Sequence, residues 1–143
     1  MQTAGSLSLL QITDLHLLPD PGSRLLGVDT AASLDAVLAA ALAQRTPDAM
    51  FVTGDIAHTP APATYARASA LLAQHYRGPM VWLPGNHDVA ALLAAAAPAA
   101  DELRLRDWSI LAIDTHTDGV EGGSVAPAEL RRLRDRLAHS DAA

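Results

Sequence analysis

Gly85-Asn86-His87-Asp88 is a polar tetrapeptide that directly follows the apolar run Met80-Val81-Trp82-Leu83-Pro84. The apolar run is typical of a buried strand of a parallel sheet, and a second apolar run after the tetrapeptide predicts a helix. Open α/β sheets bind ligands in such loops, just past the carboxyl ends of their strands. Gly85 allows a sharp turn, and the Asn86 amide and the His87 imidazole are suitable partners for a metal ion or a phosphate. Taken alone, the tetrapeptide is a weak signal, because an Asn-His pair in such a loop usually has a structural role or is simply solvated.

Two further polar clusters stand in the same position after an apolar run. Asp14 and His16 follow the first apolar run of the chain, and Asp55 follows the second. In an extended chain, side chains two residues apart share a face, so Asp14 and His16 are predicted to reach one ion while Leu15 turns into the core. Three such clusters at successive strand ends favour a metal site over simple capping or turn residues. Carboxylates mixed with imidazole suit Mn, Fe or Zn, and two ions bridged by a carboxylate can clamp a displacement at phosphorus.

The apolar pattern predicts strands that alternate with helices. Strands are expected at residues 7–13, 49–53, 80–84 and 108–114, and helices at residues 30–45, 63–76, 90–97 and 127–138. This alternation indicates the α/β class, with the first three strands parallel in one sheet. Apolar residues repeat at helical spacing in three of the helices: Leu34, Val37, Leu38, Ala41 and Leu42; Tyr65, Leu72 and Tyr76; and Leu130, Leu133 and Leu137.

Composition limits the class of protein. The 143 residues amount to one domain, and half of them are hydrophobic, which is enough for a packed core. The net charge of −6 argues against nonspecific binding to nucleic acid, but bound divalent ions would reverse the local field for a small anionic substrate. The sequence has no cysteine, which excludes disulfides and thiolate metal sites and is consistent with the cytoplasm. We expect no signal peptide and no membrane span.

Asp14-x-His16, Gly54-Asp55 and Gly85-Asn86-His87-Asp88 resemble the first three motifs of the calcineurin-like metallophosphoesterases. The segments at residues 10–17, 25–30, 52–57 and 81–88 are similar, more narrowly, to those of the bacterial 3′,5′-cyclic AMP phosphodiesterases (class III cyclic nucleotide phosphodiesterases). The resemblance implies an α/β/β/α sandwich of two mixed sheets flanked by helices. This chain would supply its N-terminal β-α-β half and, at most, the start of the second sheet.

The resemblance also implies a two-metal site with assigned ligands. Asp14 and His16 would hold the first ion, Asp55 would bridge both, and Asn86 would hold the second. The expected ions are Fe²⁺ or Mn²⁺, with Zn²⁺ as a further candidate, and the expected reaction is hydrolysis of 3′,5′-cyclic AMP to 5′-AMP. Substrate contacts are implied for His16, Asp55, Asn86 and His87. His87 would stabilise developing charge or protonate the leaving 3′-oxygen.

The family carries further ligands that do not occur in this sequence: a histidine after another strand, and a Gly-His-x-His motif. We therefore expect residues 1–143 to form a single, incomplete phosphoesterase domain, the N-terminal part of a longer enzyme, with impaired activity. An uncovered sheet would favour self-association. One alternative is an inactive half-domain that binds metal. Another is a metallophosphoesterase that acts on a different nucleotide, a phosphoprotein or a lipid pyrophosphate.

For the remaining polar residues we expect roles other than metal binding. Asp88 is expected to cap the next helix or to orient a neighbouring group. His58 lies just beyond Asp55 and could face the site, but it matches no ligand of the family. His116 is predicted to be solvated. Helix surfaces are expected for His75 and His139 and for the basic run Arg131, Arg132, Arg134 and Arg136.

Overall fold

The computed structural model describes residues 6–97 and 101–139 of the chain. Its elements follow one another in the order β1 (Leu9–Ile12), α1 (Thr30–Leu42), β2 (Ala49–Thr53), α2 (Pro62–His75), β3 (Met80–Leu83), α3 (Ala90–Ala96), β4 (Glu102–Leu105), β5 (Trp108–Leu111) and α4 (Pro127–Ala138). Among the helices in these ranges, none has both the length and the apolar character needed to cross a membrane.

The first half of the chain forms a three-stranded parallel sheet in the order β1-β2-β3. Helix α1 connects β1 to β2, and α2 connects β2 to β3, so the half consists of two overlapping β-α-β units. Ile12 lies opposite Val52, and Val52 lies opposite Trp82, so the carboxyl ends of the three strands are level. The predicted α/β class and parallel sheet are confirmed, and all polar clusters that follow these strands lie at one edge.

The core lies around the central strand β2 and the inner faces of α1 and α2. Met50 and Val52 are fully buried, as are Leu38 of α1 and Leu72 of α2. The predicted stripe of α1 is wrong at Val37, whose residue surface is 54% exposed, and at Ala41, which is also exposed. Since Leu34 and Leu38 already cover the sheet, Val37 lies outside the packed face.

Several predicted helices and strands are longer than the observed ones. Strand β1 begins at Leu9 rather than residue 7. Leu9 is the first residue with a pairing partner in β2, since it lies opposite Ala49, the first residue of that strand. Helix α1 ends at Leu42 rather than residue 45, before Pro47 forces an end. The strand predicted at 108–114 is limited to Trp108–Leu111, the length that its antiparallel partner β4 can pair.

Strands β4 and β5 form a separate two-stranded antiparallel sheet, and β4 is absent from the sequence-based prediction. Arg106, with a φ of 54°, forms the tight turn between them. Helix α4 contacts this hairpin through Arg132, whose guanidinium pairs with Glu129 and Asp101, and through Arg136, which pairs with Glu102. These two arginines are therefore not simply solvated, and the hydrogen bond from Arg132 lowers the pKa of the Glu129 carboxyl.

Candidate metal centre

Three loops meet at the carboxyl edge of the parallel sheet, and backbone hydrogen bonds fix them to one another. The Asp14 N–H donates to the Gly54 carbonyl at 3.1 Å, and the His16 N–H donates to the Asp55 carbonyl at 2.9 Å. The Gly54 N–H donates to the Leu83 carbonyl at 2.9 Å. The loops after β1, β2 and β3 are thus aligned beyond the ends of the regular strands.

The backbone at this edge is left-handed at several positions. Asp14, His16 and Asp55 have φ values of 56°, 43° and 49°, and Gly54 has a φ of 78°. A residue other than glycine costs about 1–2 kcal/mol in this region, so the surrounding hydrogen bonds must hold it there. The geometry predicted for Asp14 and His16, two positions on an extended strand, is therefore wrong. Leu15 is nevertheless buried as predicted.

Asp14, His16 and Asp55 converge on one point. The His16 Nε2 lies 3.9 Å from Asp14 Oδ1 and 3.6 Å from Asp55 Oδ2. One ligand atom from each residue lies within 4.8 Å of the other two. The Asp55 side chain is 14% exposed and the Asp14 side chain is 62% exposed, so the group opens to solvent on one side. Two carboxylates and an imidazole are a donor set that Mn, Fe and Zn accept, so these residues fit a divalent ion.

Two threonine hydroxyls, missed by sequence reasoning, position the first loop. The Thr13 hydroxyl lies 2.6 Å from Asp14 Oδ2, and the Thr30 hydroxyl donates to the His16 carbonyl at 3.2 Å. The capping of α1 falls to Asp29, whose Oδ1 accepts the Ala32 N–H at 3.0 Å. The sequence offered only one indication of this positioning role, which is that Thr13 is adjacent to the candidate ligand Asp14.

The loop after β3 rests directly on Asp55. The His87 N–H donates to Asp55 Oδ1 at 3.0 Å, and Asn86 lies exposed in the same turn. A Cβ added at Gly85 would lie 2.2 Å from Asp55 Oδ1, 2.3 Å from Asp55 N and 2.8 Å from the Gly54 Cα. The glycine therefore permits this close approach, as the sequence predicted.

We expect Gly85→Ala to lower the free energy of unfolding by about 3 kcal/mol, because the new methyl group meets backbone atoms that cannot turn away. Gly122→Ala is the matched control, since an added Cβ there meets nothing within 4 Å, and its effect should stay within about 0.5 kcal/mol. Urea unfolding of both variants measures the difference. Equal stabilities would show that the loop after β3 relaxes away from Asp55 at little cost.

Asp88 orients the two neighbouring loops and does not cap α3. Its carboxylate accepts the backbone N–H groups of Ile56, Ala57 and Gly85, and the residue is 2% exposed. The N-cap of α3 is Val89, whose own side chain makes no capping hydrogen bond. Of the two roles expected for Asp88, the helix cap is thus wrong and the orienting role is confirmed.

Tyr65 of α2 completes this arrangement, and sequence reasoning identified it only as a core residue. Its hydroxyl donates to Asp88 Oδ1 at 3.1 Å and accepts the Val89 N–H at 3.0 Å. Burial raises the pKa of the Tyr65 hydroxyl far above its usual range. A fully buried tyrosine needs a partner for its hydroxyl, which was the signal available in the sequence.

Three imidazole rings also meet at the centre. The His16 ring lies 5.6 Å from His58 and 5.0 Å from His87, between ring centroids, and the His58 and His87 rings are stacked at 5.3 Å. The catalytic candidate His87 is therefore beside the metal-ligand candidate His16. His58, which matched no family ligand, lies in the same cluster because Leu17 and Ala57 extend the parallel pairing past the strands.

His116 is the residue whose environment was predicted wrongly. Its side chain is only 3% exposed, and its Nε2 lies 2.7 Å from Asp118 Oδ1. That hydrogen bond lowers the pKa of the Asp118 carboxyl, and the same oxygen accepts the Ala90 N–H at the start of α3. His116 is thus buried by a local structural pairing rather than solvated.

The family model for calcineurin-like phosphoesterases matches residues 7–136 of the chain. The chain belongs to the calcineurin-like phosphoesterase family. The match includes all three polar clusters and every described helix and strand except the last residues of α4. The family prediction made from the sequence is confirmed.

Curated relatives of the chain carry cyclic-nucleotide names. The chain is 36% identical over 137 residues to the 3′,5′-cyclic adenosine monophosphate phosphodiesterase CpdA of Escherichia coli K12, covering 91% of this chain and 50% of that protein. It is 33% identical to a probable cyclic nucleotide phosphodiesterase of Synechococcus, covering 94% of this chain and 54% of the relative. A cAMP/cGMP dual specificity phosphodiesterase of Mycobacterium tuberculosis is 31% identical, with 91% and 45% covered. The chain spans about half the length of these relatives.

Proposed function

We propose that this member of the calcineurin-like phosphoesterase family supplies the N-terminal ligands of a metal-dependent phosphodiesterase that hydrolyses 3′,5′-cyclic AMP to 5′-AMP. The observation that carries the proposal is the convergence of Asp14, His16 and Asp55 at the carboxyl edge of the sheet, beside His87. The cyclic-nucleotide names of the relatives support this choice of substrate.

The bridging role is proposed for the carboxylate of Asp55. Its Oδ2 faces His16, while its Oδ1 is fixed by the His87 N–H. Asp14 and His16 would hold one ion with it, and Asn86, in the exposed turn, would hold the other. Divalent ions bound there, Fe²⁺, Mn²⁺ or Zn²⁺, would supply Lewis-acid activation of the phosphate and of the attacking water.

His87 is proposed as the acid that protonates the leaving 3′-oxygen, or as the donor that stabilises its developing charge. Its backbone is anchored to Asp55, and its ring stands against the His16 ring, so the imidazole is held beside the proposed ligands. A phosphodiester contacting His16, Asp55 and Asn86 would therefore lie within reach of it.

A cavity of about 370 Å³ beside Asp14 suits the nucleoside part of the substrate. This volume lies in the usual range of small-molecule pockets, which combine an apolar wall with a few polar groups. The residues that line this cavity combine the two kinds of side chain. The apolar ones include Val28, Leu34 and Val37, and the polar ones include Thr30 and Ser33. The cavity also gives Val37, exposed against prediction, a position next to the proposed substrate.

The other elements of the proposal follow from the same assignment. The substrate is a small molecule rather than a nucleic acid or a membrane, and the location is cytoplasmic. Residues 1–143 act as a single, incomplete domain with impaired turnover when isolated. Self-association through the uncovered sheet is part of the proposal, because β1 and β3 are the edge strands of the parallel sheet.

The test is to express the reading frame that encodes these residues from its own start to its own stop codon. The product is incubated with cyclic AMP and Mn²⁺, and 5′-AMP is followed by chromatography. We expect formation of 5′-AMP that requires the metal and falls by about a thousandfold in Asp55→Asn, corresponding to about 4 kcal/mol of transition-state stabilisation.

Two other outcomes would contradict the cyclic AMP assignment. Cleavage of an aryl phosphodiester without any turnover of cyclic AMP would leave a metallophosphoesterase that acts on another phosphoester. Absence of both activities, with Mn²⁺ still bound, would leave the inactive metal-binding alternative.

A further inference from the structure

The loop that connects β1 to α1 contains a tight turn at residues 25–28, just before the helix. The Leu25 N–H donates to the Val28 carbonyl at 2.9 Å, and the Val28 N–H donates to the Leu25 carbonyl at 2.8 Å. The two central residues, Leu26 and Gly27, have φ values of 49° and 85°. Reciprocal hydrogen bonds and a positive φ at both central positions are the features of a type I′ turn.

Leu26 is a poor choice of residue for this position. The first central position of a type I′ turn prefers asparagine, aspartate or glycine, which adopt a left-handed backbone at little cost. Leucine is strained there, and burial does not offset the strain, because Leu26 is 96% exposed, the highest value among the large hydrophobic residues that the structure describes. Since neither the turn nor the core favours this leucine, its presence points to a function.

Hydrogen bonds anchor the rest of the loop, so the turn is held in place. The Arg67 guanidinium, on α2, donates to the Leu18 carbonyl at 3.0 Å and to the Asp20 carbonyl at 3.1 Å. The Arg24 guanidinium donates to the Gly27 carbonyl, within the turn, at 3.1 Å. A binding surface that is ordered before its ligand arrives loses less entropy on binding.

The turn borders the cavity beside Asp14. Val28, the last residue of the turn, lines this cavity, as does Val37 of α1. These two valines are 52% and 54% exposed, so the cavity is open to solvent where they lie. Three of the four exposed large hydrophobic residues described in the first half of the chain, Leu26, Val28 and Val37, thus belong to the turn or to the cavity. Single exposed hydrophobic residues are ordinary, but a group beside a cavity indicates a binding site.

We infer that Leu26 is a specificity-determining residue that packs on the purine base of a nucleotide whose nucleoside part lies in the cavity beside Asp14. The inference rests on the proposed function, which places the phosphate at the metal centre. Because Asp14 belongs both to that centre and to the lining, a nucleoside in the cavity extends from the phosphate toward Val28 and the turn. The open side of the cavity leaves one face of the base in water, and a leucine side chain on that face removes apolar surface from water.

Leu26→Asn separates binding from folding, because asparagine suits the turn better than leucine does. The variant is made in the protein expressed from its own start to its own stop codon. We expect a melting temperature equal to or above that of the parent, and a KM for cyclic AMP raised by about tenfold, or about 1.4 kcal/mol. This effect is near the lower end of what burial of a leucine contributes. The kcat should stay unchanged, since the base lies away from the reacting atoms.

Binding of adenosine to the metal-free protein is a readout that needs neither a metal ion nor turnover. Methyl NMR should show adenosine-induced shifts at Leu26, Val28 and Val37, and a dissociation constant raised by about tenfold in Leu26→Asn. Leu26→Met keeps an apolar side chain and should bind adenosine as the parent does. Leu137→Asn is the matched control, at a leucine of α4 that is 66% exposed, and should leave adenosine binding unchanged.

Four results would count against these assignments. Absence of adenosine-induced shifts in the parent, or unchanged adenosine binding in Leu26→Asn, would overturn the inference. A melting temperature of Leu26→Asn below that of the parent would show that the leucine stabilises the fold, and would also overturn it. A changed gel-filtration volume of Leu26→Asn with unchanged adenosine binding would assign Leu26 to a contact between copies of the chain instead. Absence of cyclic AMP turnover by a parent that binds adenosine at the turn would count against the proposed function alone.

Discussion

Asp88→Ala is expected to lower the free energy of unfolding by about 4 kcal/mol, the largest stability effect at the centre. The Asp88 Oδ2 accepts the Gly85 N–H at 2.8 Å and the Ile56 N–H at 3.1 Å, and Oδ1 accepts the Ala57 N–H at 2.9 Å and the Tyr65 hydroxyl at 3.1 Å. Hydrogen bonds to a charged group contribute about 1.5–3 kcal/mol each, and they are not additive. Alanine would leave these buried donors unpaired.

Two further variants make the Asp88 result specific. Asp88→Asn keeps the shape but replaces one acceptor oxygen by a donor, so two of the four hydrogen bonds are lost and an intermediate effect is expected. Asp29→Ala, which removes the N-cap of α1, should cost about 1 kcal/mol and calibrates an aspartate that accepts a single exposed backbone hydrogen bond. Urea unfolding measures all three. A cost for Asp88→Ala no larger than that of Asp29→Ala would show that Asp88 does not fix the two loops.

The parallel sheet and the position of the centre were predictable from the sequence because they follow from periodicity and topology. Strands such as residues 49–53 read as continuous apolar runs, and the carboxyl ends of parallel strands must share one edge. Asp14, His16 and Asp55 could therefore be grouped without a structure. The role of Asn86 as a ligand of the second ion stays a prediction.

Local backbone geometry could not be predicted in the same way. The left-handed φ values of Asp14, His16 and Asp55 are imposed by hydrogen bonds between loops that are far apart in sequence. Those values turn the chain after β1 and β2, and the pairing of Leu17 with Ala57 beyond these turns brings His58 beside His16 and His87. A sequence shows His58 as one polar residue of a loop, and only the fold shows what it contacts.

The second half of the chain illustrates a different limit. Strand β4, Glu102–Leu105, is four residues long and alternates charged with apolar side chains, so its sequence lacks the signal of a buried strand. The leucine stripe of α4 is present in the sequence, yet no described residue of the helix is buried, and Leu137 is 66% exposed. Periodicity identified the helix but could not show whether anything covers its apolar face.

Asp55→Asn is expected to lower the affinity for Mn²⁺ by about 100-fold. The substitution removes one of the two carboxylates that face His16, and hard divalent ions depend on the charge of their oxygen ligands. The asparagine carbonyl can still accept the His87 N–H that now reaches Asp55 Oδ1, so the loop after β3 should stay in place. The free energy of unfolding of the metal-free protein should therefore change by less than about 1 kcal/mol.

The matched control for Asp55→Asn is Asp35→Asn, because the Asp35 carboxylate is also paired with a histidine, His75, but lies on the surface of α1 at 55% exposure. Loss of an exposed ion pair changes little, so this variant should bind Mn²⁺ as the parent does. Isothermal titration with Mn²⁺ compares the three proteins. If Asp55→Asn binds Mn²⁺ as tightly as the parent while the control behaves as expected, Asp55 is not a metal ligand. The ion must then be held by another set of side chains, and the cluster of His16, His58 and His87 is the one that the structure places nearest.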